Sequence, residues 1–341
     1  MEPTYLAKIN KHPRDDHVQF DEGPHIYTVD GDSSFMSVTT WNHSHFGHFD
    51  ADKIIDKMMN GRNWKPGYKY YGMTKDEIKA GWDKNRDEAA AAGTKMHYDI
   101  ECYYNLMDIK NDSTEYKWFL EFDDWVKRET NMLPYRTEMI VWDKELKLCG
   151  SIDMMYMNEC GEIELYDWKR CKEIKKSNWN NYAVTECIGH LPDSNYWHYS
   201  LQLNTYKYML EKNYGLKVNV MYLFCLHPNN RTKQFMKIKV NTMKQEIDDL
   251  MALRLSMVEQ EKKKPAEKKT VWDVVKPVKK KKKIKECWAC KTTTKKTRVY
   301  IVDQYLMGLE KYRYCNRCAN IWLNNHYSTK NAYTKDLNRY K

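Results

Sequence analysis

The chain has 341 residues, 42% of them hydrophobic and 30% charged, with a formal charge of +10. That much apolar material can bury a full core, and the length fits one large domain plus an accessory module. No stretch nears the roughly eighteen uninterrupted apolar residues of a membrane span, and the polar start MEPTYLAKINKHPRDD lacks a signal peptide's apolar segment, so an intracellular protein of a reducing compartment is expected.

The charge is unevenly placed. Residues 262–285 hold twelve lysines against Glu267 and Asp273, and residues 286–341 hold eleven basic groups against four acidic ones, which leaves −7 for residues 1–261. The expected organisation is therefore an acidic main domain (1–261), a Lys-rich linker (262–285) and a basic C-terminal module (286–341). Lysine-rich segments gain affinity for nucleic acid by releasing counterions from phosphates, so the tail by itself suggests a nucleic-acid partner.

In chain order, HIYTVDGDSSFMSVTTW alternates through Ile26, Tyr27 and Val29, turns at Asp30-Gly31 and resumes at Met36 and Val38, which predicts a β-hairpin. Residues 75–108 carry helix formers with Met96, Ile100, Tyr103 and Tyr104 on one stripe, and His97 and Glu101 fall four apart on one face. The run EYKWFLEFDDWVKRE predicts a packing helix. From Tyr135 the period becomes two, and RTEMIVWD, KLCGSIDMMYM and EIELYDWKR, parted by DKE and NECG, predict a three-stranded antiparallel meander. A helix over YWHYSLQLNTYKYMLEKNYG, closed by Gly215, precedes the buried strand VNVMYLFCL, the strand FMKIKV and a helix ending near Glu261.

The chemistry is concentrated in the meander. Asp153 stands among apolar neighbours in I-D-M-M-Y and Asp167 in L-Y-D-W-K, although strands are poor in Asp. Pairing across NECG brings both carboxylates to one side of the sheet, and Lys169, two residues beyond Asp167, shares its face. Hard oxygen ligands suit Mg²⁺, and a neighbouring cation can orient water and offset charge on a reacting phosphate.

Four segments then resemble, in order, the RecB-like branch of the PD-(D/E)XK nuclease superfamily. Gly93-Thr94-Lys95-Met96-His97 is similar to its GTxxH helix, Gly150-Ser151-Ile152-Asp153 to its GxxD strand, Asp167-Trp168-Lys169 to its D-x-K strand, and Gln202 to Tyr206 to its QxxxY helix. His25-Ile26-Tyr27 and Ser37 to Thr40 resemble the opening hairpin of phage and mitochondrial exonucleases of that branch. The resemblance implies an α/β fold with a restriction-endonuclease-like core of helix, three-stranded meander, helix and strand. It implies that His97, Asp153 and Asp167 hold Mg²⁺ or Mn²⁺, that Lys169 is the catalytic cation, and that Gln202 and Tyr206 bind substrate or support the site. Glu138 and Glu101 are candidate supporting residues, Glu101 as a partner that orients the imidazole. No Cys precedes Cys102, so the iron–sulfur staple of some relatives is not expected, and without a Walker-type segment any helicase or replication partner is a separate protein.

Cys287-Trp-Ala-Cys290 and Cys315-Asn-Arg-Cys318 are two C-x-x-C pairs, the spacing of a four-thiolate Zn²⁺ ribbon able to bind DNA or protein. PVKKKKKIK fits a nuclear-import segment as well as a phosphate contact, so cytoplasm and nucleus both stay open, and the Lys, Asn and Tyr usage suits the AT-rich genome of a large DNA virus. The expected function is a DNA exonuclease or flap-trimming nuclease of replication, recombination or repair, acting on single-stranded or duplex ends. A restriction-type endonuclease, or a non-catalytic DNA-binding or assembly factor working through the ribbon, are the alternatives.

Overall fold

A computed structural model describes residues 2–179, 181–263, 298–302 and 310–314. The chain divides into two units, Met1–Glu261 and Lys262–Lys341. In the second, two strands, Arg298–Val302 and Glu310–Tyr314, pair antiparallel. The four Cys of the expected zinc ribbon and the Lys-rich linker from residue 264 onward lie outside the described residues.

The first unit is a mixed α/β structure built on a six-stranded mixed sheet. Its early elements are α1 (Tyr5–Ile9), β1 (Val18–Asp21), β2 (Ile26–Val29), β3 (Met36–Ser37), α2 (Val38–His43) and α3 (Ala51–Met59). Helices α4 (Lys75–Tyr104) and α5 (Thr114–Glu129) lead into the meander β4 (Leu133–Asp143), β5 (Leu148–Met157) and β6 (Ile163–Lys169). Then come α6 (Asn195–Asn213), β7 (Val218–Cys225), β8 (Met236–Val240) and α7 (Lys244–Lys263). Among the described residues no helix is long and apolar enough to cross a membrane.

The expected opening hairpin is corrected. β2 pairs antiparallel with β1, upstream of it, whereas Met36 and Ser37 cross to the central sheet and pair parallel with Leu148 and Cys149 of β5. Ser37 then starts α2, its Oγ accepting from Thr40 N at 3.0 Å, so the Thr-rich segment is helical. The Asp30-Gly31 turn is real but closes only on a Val29–Asp32 bridge.

The meander, by contrast, forms as read. β4 runs antiparallel along the whole of β5, while β6 pairs β5 only from Met157↔Ile163 to Met154↔Tyr166. β7 joins β6 in parallel and β8 closes the sheet antiparallel. Two apolar layers sandwich it. On one side α6, α2 and α7 bury Leu201, Leu210, Trp41 and Leu250 against Met139, Ile152 and Leu165, while on the other α4 and α5 bury Ile100, Phe119 and Phe122 against Met154, Tyr166 and Trp168. α6 is buried nearly all round, as a helix between two packed layers should be.

The placement of β3 leaves a notch. On the edge of β5 away from β4, β3 takes Leu148 and Cys149 and β6 takes Met154 onward. Among the described residues no strand covers Gly150 to Asp153. Tyr206 of α6 fills part of that notch, and its ring comes so near Gly150 that a Cβ there would lie 2.9 Å from it. A glycine is required at 150 for this close approach.

Candidate metal centre

The notch is lined from three elements. Asp153 is the residue of β5 just past the end of its ladder with β6, and Asp167 is its counterpart on β6. Where the strands part, the Trp168 N–H turns to the Asp153 carboxylate at 2.8 Å. The Trp168 carbonyl accepts from His97 Nε2 at 2.8 Å, reaching across to α4. One residue's backbone therefore fixes two functional side chains. With the Nε2 proton committed to that carbonyl, Nδ1 is the nitrogen left facing the carboxylates, 3.5 Å from Glu138 and 3.6 Å from Asp153.

Glu138 reaches this point by an unusual backbone. Its φ is +43°, a left-handed conformation in the middle of β4, and the β4–β5 pairing skips it between Thr137↔Met154 and Met139↔Ile152. A non-glycine residue in that region costs on the order of 1–3 kcal/mol and persists only where its surroundings enforce it. Here Ser151 Oγ donates to Glu138 Oε2 at 2.7 Å from the facing strand.

His97, Glu138 and Asp153 each offer a ligand atom within 4.8 Å of the others. Two of these are sequence candidates for the metal; the third was expected only in support. Asp167 falls outside this group and pairs instead with Lys169, its Oδ2 2.7 Å from Nζ. That contact lacks hydrogen-bond alignment, and the buried Oδ2 has no other donor. Lys169 Nζ also lies 4.8 Å from the ring centroid of Tyr199, a contact that sequence reasoning missed.

The electrostatics follow from crowding. Burial, with the nearby Asp167 and Glu138 charges, outweighs His97 and Lys169 and pushes Asp153 up to about 7. Burial would lower His97, but Asp153 and Glu138 overcome it and raise the imidazole to about 9. Burial likewise opposes the Lys169 charge, and Asp167 and Asp153 more than restore it, so the ammonium is held. Such a site has more carboxylate than its own cations satisfy.

Glu101 does not orient the imidazole, because the Trp168 carbonyl has that role. Burial, followed by repulsion from Glu138, raises Glu101 to about 7. Gln202 Nε2 donates to Tyr206 Oη at 3.2 Å and to Thr39 Oγ1 at 3.4 Å, so Gln202 links α6 to α2 at the notch while the buried Tyr206 packs on Gly150.

No family model matches the chain, and no curated protein matches it. Among solved structures it is similar, at 11% identity and a TM-score of 0.30, to SSO0001, over 73% of this chain and 89% of that one. It is similar to the same degree to a protein of Eubacterium rectale described as a candidate exonuclease, over 67% of this chain and 79% of that one. Likenesses this distant say nothing about the activity of this chain.

Proposed function

We propose that the chain is a divalent-metal-dependent nuclease with a PD-(D/E)XK core, acting on DNA ends as an exonuclease or flap-trimming enzyme. The observation that carries the reading is the convergence of His97, Glu138 and Asp153 within 4.8 Å, beside the Asp167–Lys169 pair, where β5 and β6 part. Two hard carboxylates and one imidazole suit Mg²⁺ or Mn²⁺, and the orphaned Asp167 oxygen adds a lone pair to the same region.

In this reading Glu138, Asp153 and His97 Nδ1 would hold the ion, with Asp167 as a further carboxylate beside them. When bound, the ion polarises the phosphate and lowers the pKa of an attacking water. The remaining work belongs to the protein. The Trp168 carbonyl keeps the imidazole proton on Nε2, so that Nδ1 offers its lone pair. Lys169, held charged by the carboxylates beside it, orients the nucleophile and offsets charge on the pentavalent phosphate. Zn²⁺ held by Cys287, Cys290, Cys315 and Cys318 in a C-terminal ribbon belongs to the same proposal, and a metal content of one zinc per chain tests it.

The decisive experiment digests end-labelled linear and covalently closed circular DNA with the full chain in Mg²⁺. Loss of label from ends, abolished by chelator and by Asp167→Ala, is the expected outcome. Cutting of intact circles would make it an endonuclease, and no cutting of either would remove the nuclease reading.

A further inference from the structure

The first unit is acidic overall, yet one segment of it is not. From Lys57 to Lys75 the chain carries five basic residues and no acidic one. Lys75 pairs with Asp56, but among the described residues Lys57, Arg62, Lys65 and Lys69 have no carboxylate partner. A charge run of this kind is ordinarily a solvated face, and the lysines by themselves would mean little.

The aromatic residues between them change that. Trp64 lies 5.8 Å from Tyr68 and 6.1 Å from Tyr71, ring centre to ring centre; Tyr68 lies 6.0 Å from Tyr70; Tyr70 lies 6.2 Å from Trp82; and Phe49 lies 5.9 Å from Trp82. The Trp82 indole N–H donates to Tyr70 Oη at 3.0 Å, which ties the row to α4. None of the six belongs to a buried core cluster, and Phe49 and Tyr71 are 63% and 47% exposed. The rings pack on one another and on α4 without entering a core, and among the described residues the cations between them meet no carboxylate, Lys69 lying 4.9 Å over the Tyr70 ring.

The row also has a fixed relation to the candidate metal centre. Trp82 and His97 stand on the same continuous helix, α4, fifteen residues apart, which at 1.5 Å per residue is about 22 Å along its axis. Between them α4 is mostly exposed, with no buried residue before Met96.

We propose that this basic and aromatic row is a binding surface for single-stranded DNA, which stacks unpaired bases on the rings and neutralises their phosphates with Lys57, Arg62, Lys65 and Lys69. The inference rests on the nuclease reading and deepens it by naming an unpaired strand as the occupant. Stacking is what selects a single strand, because only unpaired bases expose their faces, and duplex DNA would use the cations without the rings. The spacing along α4 lets a strand held on the row extend to the metal ligands.

The test measures fluorescence anisotropy of the full chain in EDTA with two labelled probes, an oligo-dT strand of about twenty nucleotides and an abasic phosphodiester strand of equal length. Trp64→Ala with Tyr71→Ala should weaken oligo-dT about tenfold and leave the abasic strand unchanged, a signature the basic tail cannot produce. Arg62→Glu, Lys65→Glu and Lys69→Glu together should weaken both probes and lower the salt slope by about two. Tyr71→Ala alone, at an exposed position, keeps the stacking test available if the double variant does not fold. Unchanged oligo-dT affinity in the folded variants overturns the proposal, and so does an equal loss for the abasic strand on removing the rings. Because EDTA separates binding from cleavage, a wild type that binds as stated but never cuts in Mg²⁺ overturns the nuclease reading instead.

Discussion

Two buried carboxylate environments sit in the meander, one at the end of β4 and one where β5 and β6 part, and they are treated in opposite ways. Asp143, at the end of β4, is 1% exposed; its Oδ1 accepts from the backbone of Glu145 at 3.0 Å and Leu146 at 2.9 Å, and its Oδ2 from Asn213 at 2.8 Å and Lys212 at 2.9 Å. Burial works against its charge, but these donors win and hold it below the usual carboxylate range. Asp153 receives one backbone donor and a distant imidazole, and the buried Oδ2 of Asp167 meets only the Lys169 ammonium, at 2.7 Å. Both environments contain a lysine, so charge pairing does not separate them. Saturation with donors does. A carboxylate that the fold itself uses is fully bonded, while one left short at a buried site has lone pairs for something else.

Five measurements break or sharpen that contrast. The largest effect is expected at the unsatisfied site, where Asp167→Ala or Lys169→Ala should lower Mg²⁺-dependent cleavage by about a thousandfold, beyond any loss of stability from the buried charge left unpaired. Asp143→Ala should do the reverse, costing about 3 kcal/mol in urea unfolding because it orphans buried donors, with cleavage intact at 25 °C. The acid limb carries the same information. Since the folded pKa of Asp143 is depressed, its contribution is fully present above about pH 4, the unfolded value, and drains away as pH falls below it; Asp143→Asn should flatten that limb. Gly150→Ala, whose Cβ would press on Tyr206, should cost about 2 kcal/mol and reduce cleavage, measured by unfolding and turnover on the same preparation. The smallest effect has the opposite sign, with Asp153→Asn raising the stability of chelator-treated protein by about 1 kcal/mol. If it destabilises as much as Asp143→Ala, the two carboxylates are not different in kind.

Much of this was legible in the sequence where side-chain period and local spacing decide structure. The alternation of IDMMY and LYDWK, with NECG between them, was enough for β5, β6 and the neighbouring positions of Asp153 and Asp167. The helix carrying His97 and the stripe from Met96 to Tyr104 that packs it were readable from spacing, while the bond of the imidazole to the Trp168 carbonyl was not. Glu138 was out of reach beyond a supporting role, because its approach to His97 depends on a left-handed φ that no residue type in RTEMIVWD signals. Asp143 read as a turn residue, and half of what binds it comes from Lys212 and Asn213, about seventy positions away. The first hairpin was mispaired because Asp30-Gly31 is a strong local turn, whereas the partner of Met36 is the distant Leu148. The capping side chain of Ser37 was equally available to a strand or a helix.

The backbone of Trp168 ties the candidate metal centre to side chains well away from it. Its carbonyl and N–H steer His97 and Asp153, while its indole is anchored in the α4/α5 layer, 6.0 Å from the Phe119 ring, 6.1 Å from Phe122 and 5.2 Å from Phe224. Close-packed interiors pass small displacements on with little damping. Selection for metal affinity can therefore act on aromatic residues that no ion or nucleotide ever touches, which makes that layer the adjusting screw of the site.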